Sequence, residues 1–112
     1  MSDIRKLIEM VESSSIAYSN LDPFVAALGM NTQANDAHMA YRGSLDTAKA
    51  LHEALLPGWV ARPQIGGAGA GVKVWHCTIE DWDTGYEIEA NNMKCPARAW
   101  LLAVLRAVEE KQ

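Results

Sequence analysis

Apolar residues near the start of the chain fall at Ile4, Leu7, Ile8 and Val11, with Arg5, Lys6, Glu9 and Glu12 set among them. Steps of three and four residues bring such side chains onto one face of a helix, so the spacing predicts an amphipathic helix from about Asp3 to Glu12, ended by Ser13-Ser14-Ser15. A second, short helix is expected near Asn20. Asn20 or Asp22 can cap it, Pro23 suits its first turn, Phe24, Val25 and Leu28 supply an apolar face, and Gly29 is a natural stop. The next stretch, 31–43 (NTQANDAHMAYRG), has little periodicity and few large apolar residues and reads as a loop or linker.

From Ser44 onward the pattern sharpens. Ser44 stands where an N-cap belongs, Leu45, Ala48, Leu51, His52 and Leu55 share a helical face, and Pro57-Gly58 closes the helix. Trp59 to Arg62 reads as a short strand, and Pro63, which lacks a backbone donor, suits an edge strand or a strand end. Val72 to Ile79 (VKVWHCTI) is rich in β-branched and aromatic residues with apolar side chains in both registers, which predicts a strand packed on both faces. Tyr86 to Ala90 alternates, with Tyr86, Ile88 and Ala90 inward and Glu87 and Glu89 outward, and pairs antiparallel with its predecessor through Glu80 to Gly85. Pro96 then opens a helix with the stripe Ala97, Trp100, Leu101, Val104, Leu105 and Val108, and with Arg98, Arg106, Glu109 and Glu110 on its wet side. Burying a large apolar side chain contributes roughly 1.5–3 kcal/mol, so this helix and the sheet are expected to be the stability centre.

Together these elements predict an α+β fold in a single domain of 112 residues. Its core is an α-β-β-β-α unit over 44–110, a small and mainly antiparallel three-stranded sheet packed by the Ser44 and Pro96 helices. The N-terminal helical segment, 1–30, lies alongside. A hydrophobic share of 49% and a charged share of 21% are those of a chain that folds. The formal net charge of -4 argues against a broad phosphate-binding surface. Acidic residues interrupt the apolar run that a secretory signal needs and no segment approaches membrane-spanning length, so a cytoplasmic protein without a membrane partner is expected. Cys77 and Cys95 are then free, buried thiols.

Each candidate chemical motif has a simpler structural explanation. The run Gly66-Gly67-Ala68-Gly69-Ala70-Gly71 lies between two strands, whereas a phosphate cradle must lead into a helix N-terminus, so a hairpin loop is expected. Asp81-Trp82-Asp83-Thr84-Gly85 has carboxylates two apart, as a calcium loop does. Its glycine comes one position early and Asn92 stands where the bidentate Glu belongs, so a turn is expected instead. His76 and Cys77 are adjacent on a strand and point to opposite faces, which keeps both from reaching one zinc ion. No acid, base or nucleophile pair can be placed, so no catalytic residue, metal or cofactor is expected, and the expectation is a non-enzymatic domain.

The order helix, three strands, helix matches the double-stranded-RNA-binding domain in outline, which reads phosphates with a basic N-terminus of its last helix. Here only Lys94 and Arg98 flank that position, and the hairpin carries Glu80, Asp81, Asp83, Glu87 and Glu89 against a single Lys73. Repulsion from phosphate disfavours nucleic acid as the partner. The hairpin is instead the expected contact surface for a protein partner, through Asp81, Trp82, Asp83, Glu87 and Glu89. A homodimer through a sheet edge or the Ile4–Val11 face is a further arrangement open to the chain.

A resemblance covers most of the chain in order. It is carried by Leu21-Asp22 with Ala26, Ala27 and Leu28; by Tyr41; by Ser44-Leu45-Asp46 and Ala48 leading to Leu56-Pro57-Gly58-Trp59; and by Pro96-Ala97 opening a helix that ends Leu102-Ala103-Val104-Leu105-Arg106-Ala107. In these features the chain resembles the phage ABA sandwich domain family, small phage and prophage proteins. It departs from the family's pattern at Cys95, where a Thr cap before the proline would be expected, and in the long acidic hairpin Glu80 to Glu89. The resemblance implies an α/β sandwich and a phage or prophage origin, with no established activity and no functional residues to carry over.

Overall fold

The computed structural model describes residues 3–13, 15–17, 19–67, 73–81, 84–85, 87–93 and 95–111. Within them run α1 (Asp3–Glu12), α2 (Asp22–Leu28), α3 (Thr32–Tyr41), α4 (Leu45–Leu55), β1 (Trp59–Gly67), β2 (Lys73–Asp81), β3 (Glu87–Met93) and α5 (Pro96–Lys111). The fold is α+β: five helices and one antiparallel sheet in the order β1-β2-β3.

The N-terminal helices form as their patterns dictate. Ile4, Leu7, Ile8 and Val11 of α1 are all buried, so that face is closed within the fold and does not offer itself to a second copy. Pro23 sits in the first turn of α2, Asn20 accepts the Asp22 N–H through Oδ1, and Gly29 ends the helix at a φ of 84° that favours glycine.

The stretch expected to be a loop, 31–43, instead forms α3. Asn31 caps it by accepting the Ala34 N–H at 3.1 Å, and its side-chain amide donates to the Leu28 carbonyl, joining α2 to α3. Its buried stripe is Ala34, Ala37, His38 and Tyr41. That is helical spacing made of residues too small or too polar-tipped to register as a hydrophobic face. Alanine also carries the best intrinsic helix propensity and lets neighbouring helices approach closely.

Tyr41 is the fastener of this region. Its hydroxyl donates to the Ile16 carbonyl at 2.9 Å and accepts the Ile16 N–H at 3.2 Å, fixing the connection after α1. Phe24 packs against its ring at 5.9 Å. Arg98, expected on the wet side of the last helix, turns inward. Its guanidinium lies 4.0 Å from the centroid of the Tyr41 ring, and its Nε and Nη2 donate to the Tyr41 carbonyl at 3.2 and 2.9 Å. The last carbonyl of α3 is thereby capped from α5.

Ser44 caps α4 as expected, with its Oγ accepting the Thr47 N–H. Leu45, assigned to the buried face, is 45% exposed, while Ala48, Leu51 and His52 carry the packing. β1 runs on through Pro63 to Gly67 rather than stopping at Arg62, which an edge strand permits because only one of its sides joins the ladder. Ala61 pairs with Ile79, Ile79 with Ile88 and Cys77 with Ala90, and a register shift falls between Trp75 and Cys77. Cys77, Ile79, Ile88 and Ala90 are buried, whereas Thr78 and Glu80 are part-exposed, so at this end the middle strand is covered on one face and not on both. Tyr86, Lys94, residues 68–71 of the glycine run and Val72 at the start of the predicted strand lie outside the described residues.

α5 is the centre of the molecule. It packs on all three strands on one side and on α1, α3 and α4 on the other. Its burial accordingly exceeds the expected stripe: Ala99, Leu102 and Ala103 are buried with Ala97, Leu101, Val104 and Leu105, and only Trp100 and Val108 of the predicted stripe stay part-exposed. A helix buried on most of its circumference is a core helix. α4 packs against α3 and α5, so of the two helices expected on the sheet it is α5 that covers it. Arg106–Glu12 at 2.8 Å and Arg5–Glu109 at 3.2 Å tie α1 along α5.

Replacing Tyr41 with Phe removes a hydroxyl bonded twice to Ile16 and leaves buried backbone groups unsatisfied. Urea unfolding is expected to show a loss of about 1–3 kcal/mol with an unchanged slope.

Candidate functional site

Strand alternation divides the acidic hairpin between two surfaces. Neighbouring residues on a strand point to opposite faces. Glu80 pairs with Glu87 on the face of the sheet away from α5, and Arg62 of β1 reaches both, at 3.1 Å each. Two carboxylates thus share one guanidinium. Arg62 is not legible as part of this cluster along the chain, where Lys73 is the one cation between Val72 and Ala90. Arg62 lies 25 residues from Glu87, and only the β1–β2 register brings them together. With side chains this exposed, each pair contributes ~0–1 kcal/mol, so the cluster shapes the surface charge more than it stabilises the sheet.

Asp81 pairs with Trp59 and belongs to the other surface. There it lines a pocket of about 570 Å³ with Trp59, Thr84, Gly85, Glu110 and Lys111, between the β2–β3 turn and the end of α5. The Gly85 N–H donates to the Asp81 carbonyl at 2.7 Å, and Gly85 takes the φ of 75° that the turn requires. Of the five residues proposed from sequence, Asp81 and Glu87 are therefore on separate surfaces. Glu89 pairs with Thr78 farther along β3, and Trp82 and Asp83 lie outside the described residues.

Trp59 is positioned from the core. His52 Nε2 lies 2.8 Å from the Trp59 carbonyl and Nδ1 lies 3.2 Å from Trp100 Nε1. An indole nitrogen only donates, so Nδ1 accepts from Trp100 and Nε2 carries the proton that it donates to Trp59. The buried His52 thus pins the first residue of β1 against α4 and α5. Nothing in the local sequence beyond its place on the buried face of α4 signals this role.

Cys77 is wholly buried and Cys95 partly so, and both are free thiols. Burial pushes the Cys77 thiol up from its ordinary 9.0 to about 12, and a hydrogen bond with the Arg62 backbone pulls more weakly the other way. Such a thiol stays protonated and is no nucleophile at neutral pH. Among the described residues, no three His, Cys, Asp or Glu side chains come together to hold a metal ion, and no helix is long and apolar enough to cross a membrane. Arg98, one of the two bases flanking the start of α5, is held on Tyr41 rather than presented to a phosphate. Comparison with family models, curated proteins and solved structures finds no match to the chain.

The folded form holds the Cys77 proton to higher pH than the unfolded chain, so this group's contribution is intact below about pH 9 and is lost as pH rises towards 12. A Cys77→Ala variant is expected to lose less stability than the parent between these limits in alkaline denaturant titrations. At pH 8 a thiol reagent is expected to label Cys95 in the native protein and Cys77 only after unfolding.

Proposed function

We propose that the chain is a non-enzymatic, phage- or prophage-type accessory domain that binds another protein through the hairpin end of its sheet. The observation that carries this reading is the clustering of Glu80 and Glu87 around a single Arg62 on the sheet face away from α5, with Asp81 at the same end. Val60, on β1 opposite Glu80, adds a half-exposed apolar side chain to that face. An acidic surface with an apolar element suits a basic protein partner and repels polyanions. The resemblance of the helix, strand and capping segments to the phage ABA sandwich family supports the accessory role. The buried Tyr41 and His52 and the part-buried Arg98 are engaged in holding helices together, which leaves the surface as the place for function.

The test is capture from a bacterial lysate. A variant combining Trp82→Ala, Asp83→Ala and Glu87→Lys is expected to keep the parent's thermal unfolding and to lose a partner that the parent releases at raised salt. An unchanged set of captured proteins refutes the hairpin as the binding surface.

A second reading, nucleic-acid binding, is favoured by one observation: α4, three antiparallel strands in sequential order and α5 follow the outline of a double-stranded-RNA-binding domain. The charge of the surface opposes it. No gel shift is expected with duplex RNA or DNA at physiological ionic strength, and a salt-dependent shift would establish this reading in place of the first.

A further inference from the structure

The pocket beside the hairpin has walls that specify the chemistry of an occupant. Trp59 supplies an aromatic wall, Asp81 and Glu110 supply carboxylates, and Thr84, Gly85 and Lys111 complete the rim. Resting on the reading of this chain as a protein-binding domain, we propose that the pocket receives an arginine side chain from the partner.

Three independent features favour a planar cation. An indole face attracts one through its quadrupole, and a guanidinium both stacks on the ring and presents paired donors to a carboxylate. Asp81 and Glu110 outnumber the single Lys111, so the rim is net negative. α5 also ends here at Lys111, and the carbonyls of a helix's last turn carry partial negative charge towards whatever lies beyond them. The volume of about 570 Å³ exceeds what one guanidinium fills, which suits a side chain delivered with its flanking peptide better than a free ion. The His52 bond to the Trp59 carbonyl fixes the backbone that carries the indole before the partner arrives, which lowers the ordering cost of binding.

The test titrates a short capped peptide, two arginines flanked by glycines, into the ¹⁵N-labelled protein and follows backbone amides by NMR. Saturable shifts at Thr84, Gly85 and Lys111 are expected, with no response to the citrulline counterpart. Asp81→Asn with Glu110→Gln, both near-isosteric and with Glu110 on the surface, is expected to weaken binding at least tenfold without moving the thermal transition. Should the double variant unfold, Glu110→Gln alone is expected to weaken binding measurably. The proposal is overturned by the absence of saturable shifts, by an equal response to citrulline, or by unchanged affinity in the folded variants. Shifts confined to the strands around Glu80 and Glu87 also overturn the pocket while leaving the protein-binding reading intact. That reading fails separately, in the capture experiment, which leaves Asp81 and Glu110 unaltered.

Discussion

The structure depends on α5 being buried on most of its circumference. A helix with Leu101, Leu102, Val104 and Leu105 each at most 1% exposed cannot rest on a sheet alone, because a three-stranded sheet covers one side of it. The other side must be closed by helices, and α1, α3 and α4 do this. Fully burying each of these side chains contributes roughly 1.5–3 kcal/mol, so the N-terminal helices are part of the same core as the sheet rather than an appendage to it. The layers are accordingly sheet, central helix, outer helices.

Packing on this scale is not directional enough to choose one arrangement, and two polar fasteners supply the direction. Tyr41 and Arg98 join the end of α3 to the start of α5 and to the backbone at Ile16. His52 joins α4, β1 and α5 through two hydrogen bonds of opposite sense. Buried polar groups are costly when unsatisfied, so each fastener penalises any packing in which its partners do not meet. The same bonds turn Arg98 away from solvent and anchor Trp59, so the core decides which charges and which aromatic ring remain for the surface.

At the hairpin, the strand period does the sorting. Glu80 and Asp81 are consecutive in the chain yet belong to different surfaces, one centred on Arg62 and the other on Trp59 and the end of α5. What reads along the sequence as one acidic segment is in three dimensions a patch of two carboxylates around one guanidinium and an aromatic-walled pocket. The functional reading narrows with that division, from a charged tip to two surfaces that can be perturbed separately.

The amino-acid sequence by itself determined the features encoded within a few residues: the α1 face, the Ser44 cap of α4, the Pro57-Gly58 stop, the antiparallel β2–β3 pair and the Pro96 start of α5. Spacing, capping groups and turn residues act locally, and they are legible for that reason. Tertiary structure alone decided the centrality of α5, the inward turn of Arg98, the Arg62 cluster and the pocket under Trp59. α3 lies between these cases, since its stripe has helical spacing but is built of alanines, a histidine and a tyrosine whose burial only becomes favourable once Phe24, Ile16 and Arg98 surround them. The contacts of the two fasteners join residues 25, 48 and 57 positions apart. No local periodicity carries that information, because these contacts exist only after the sheet register and the helix layers have formed.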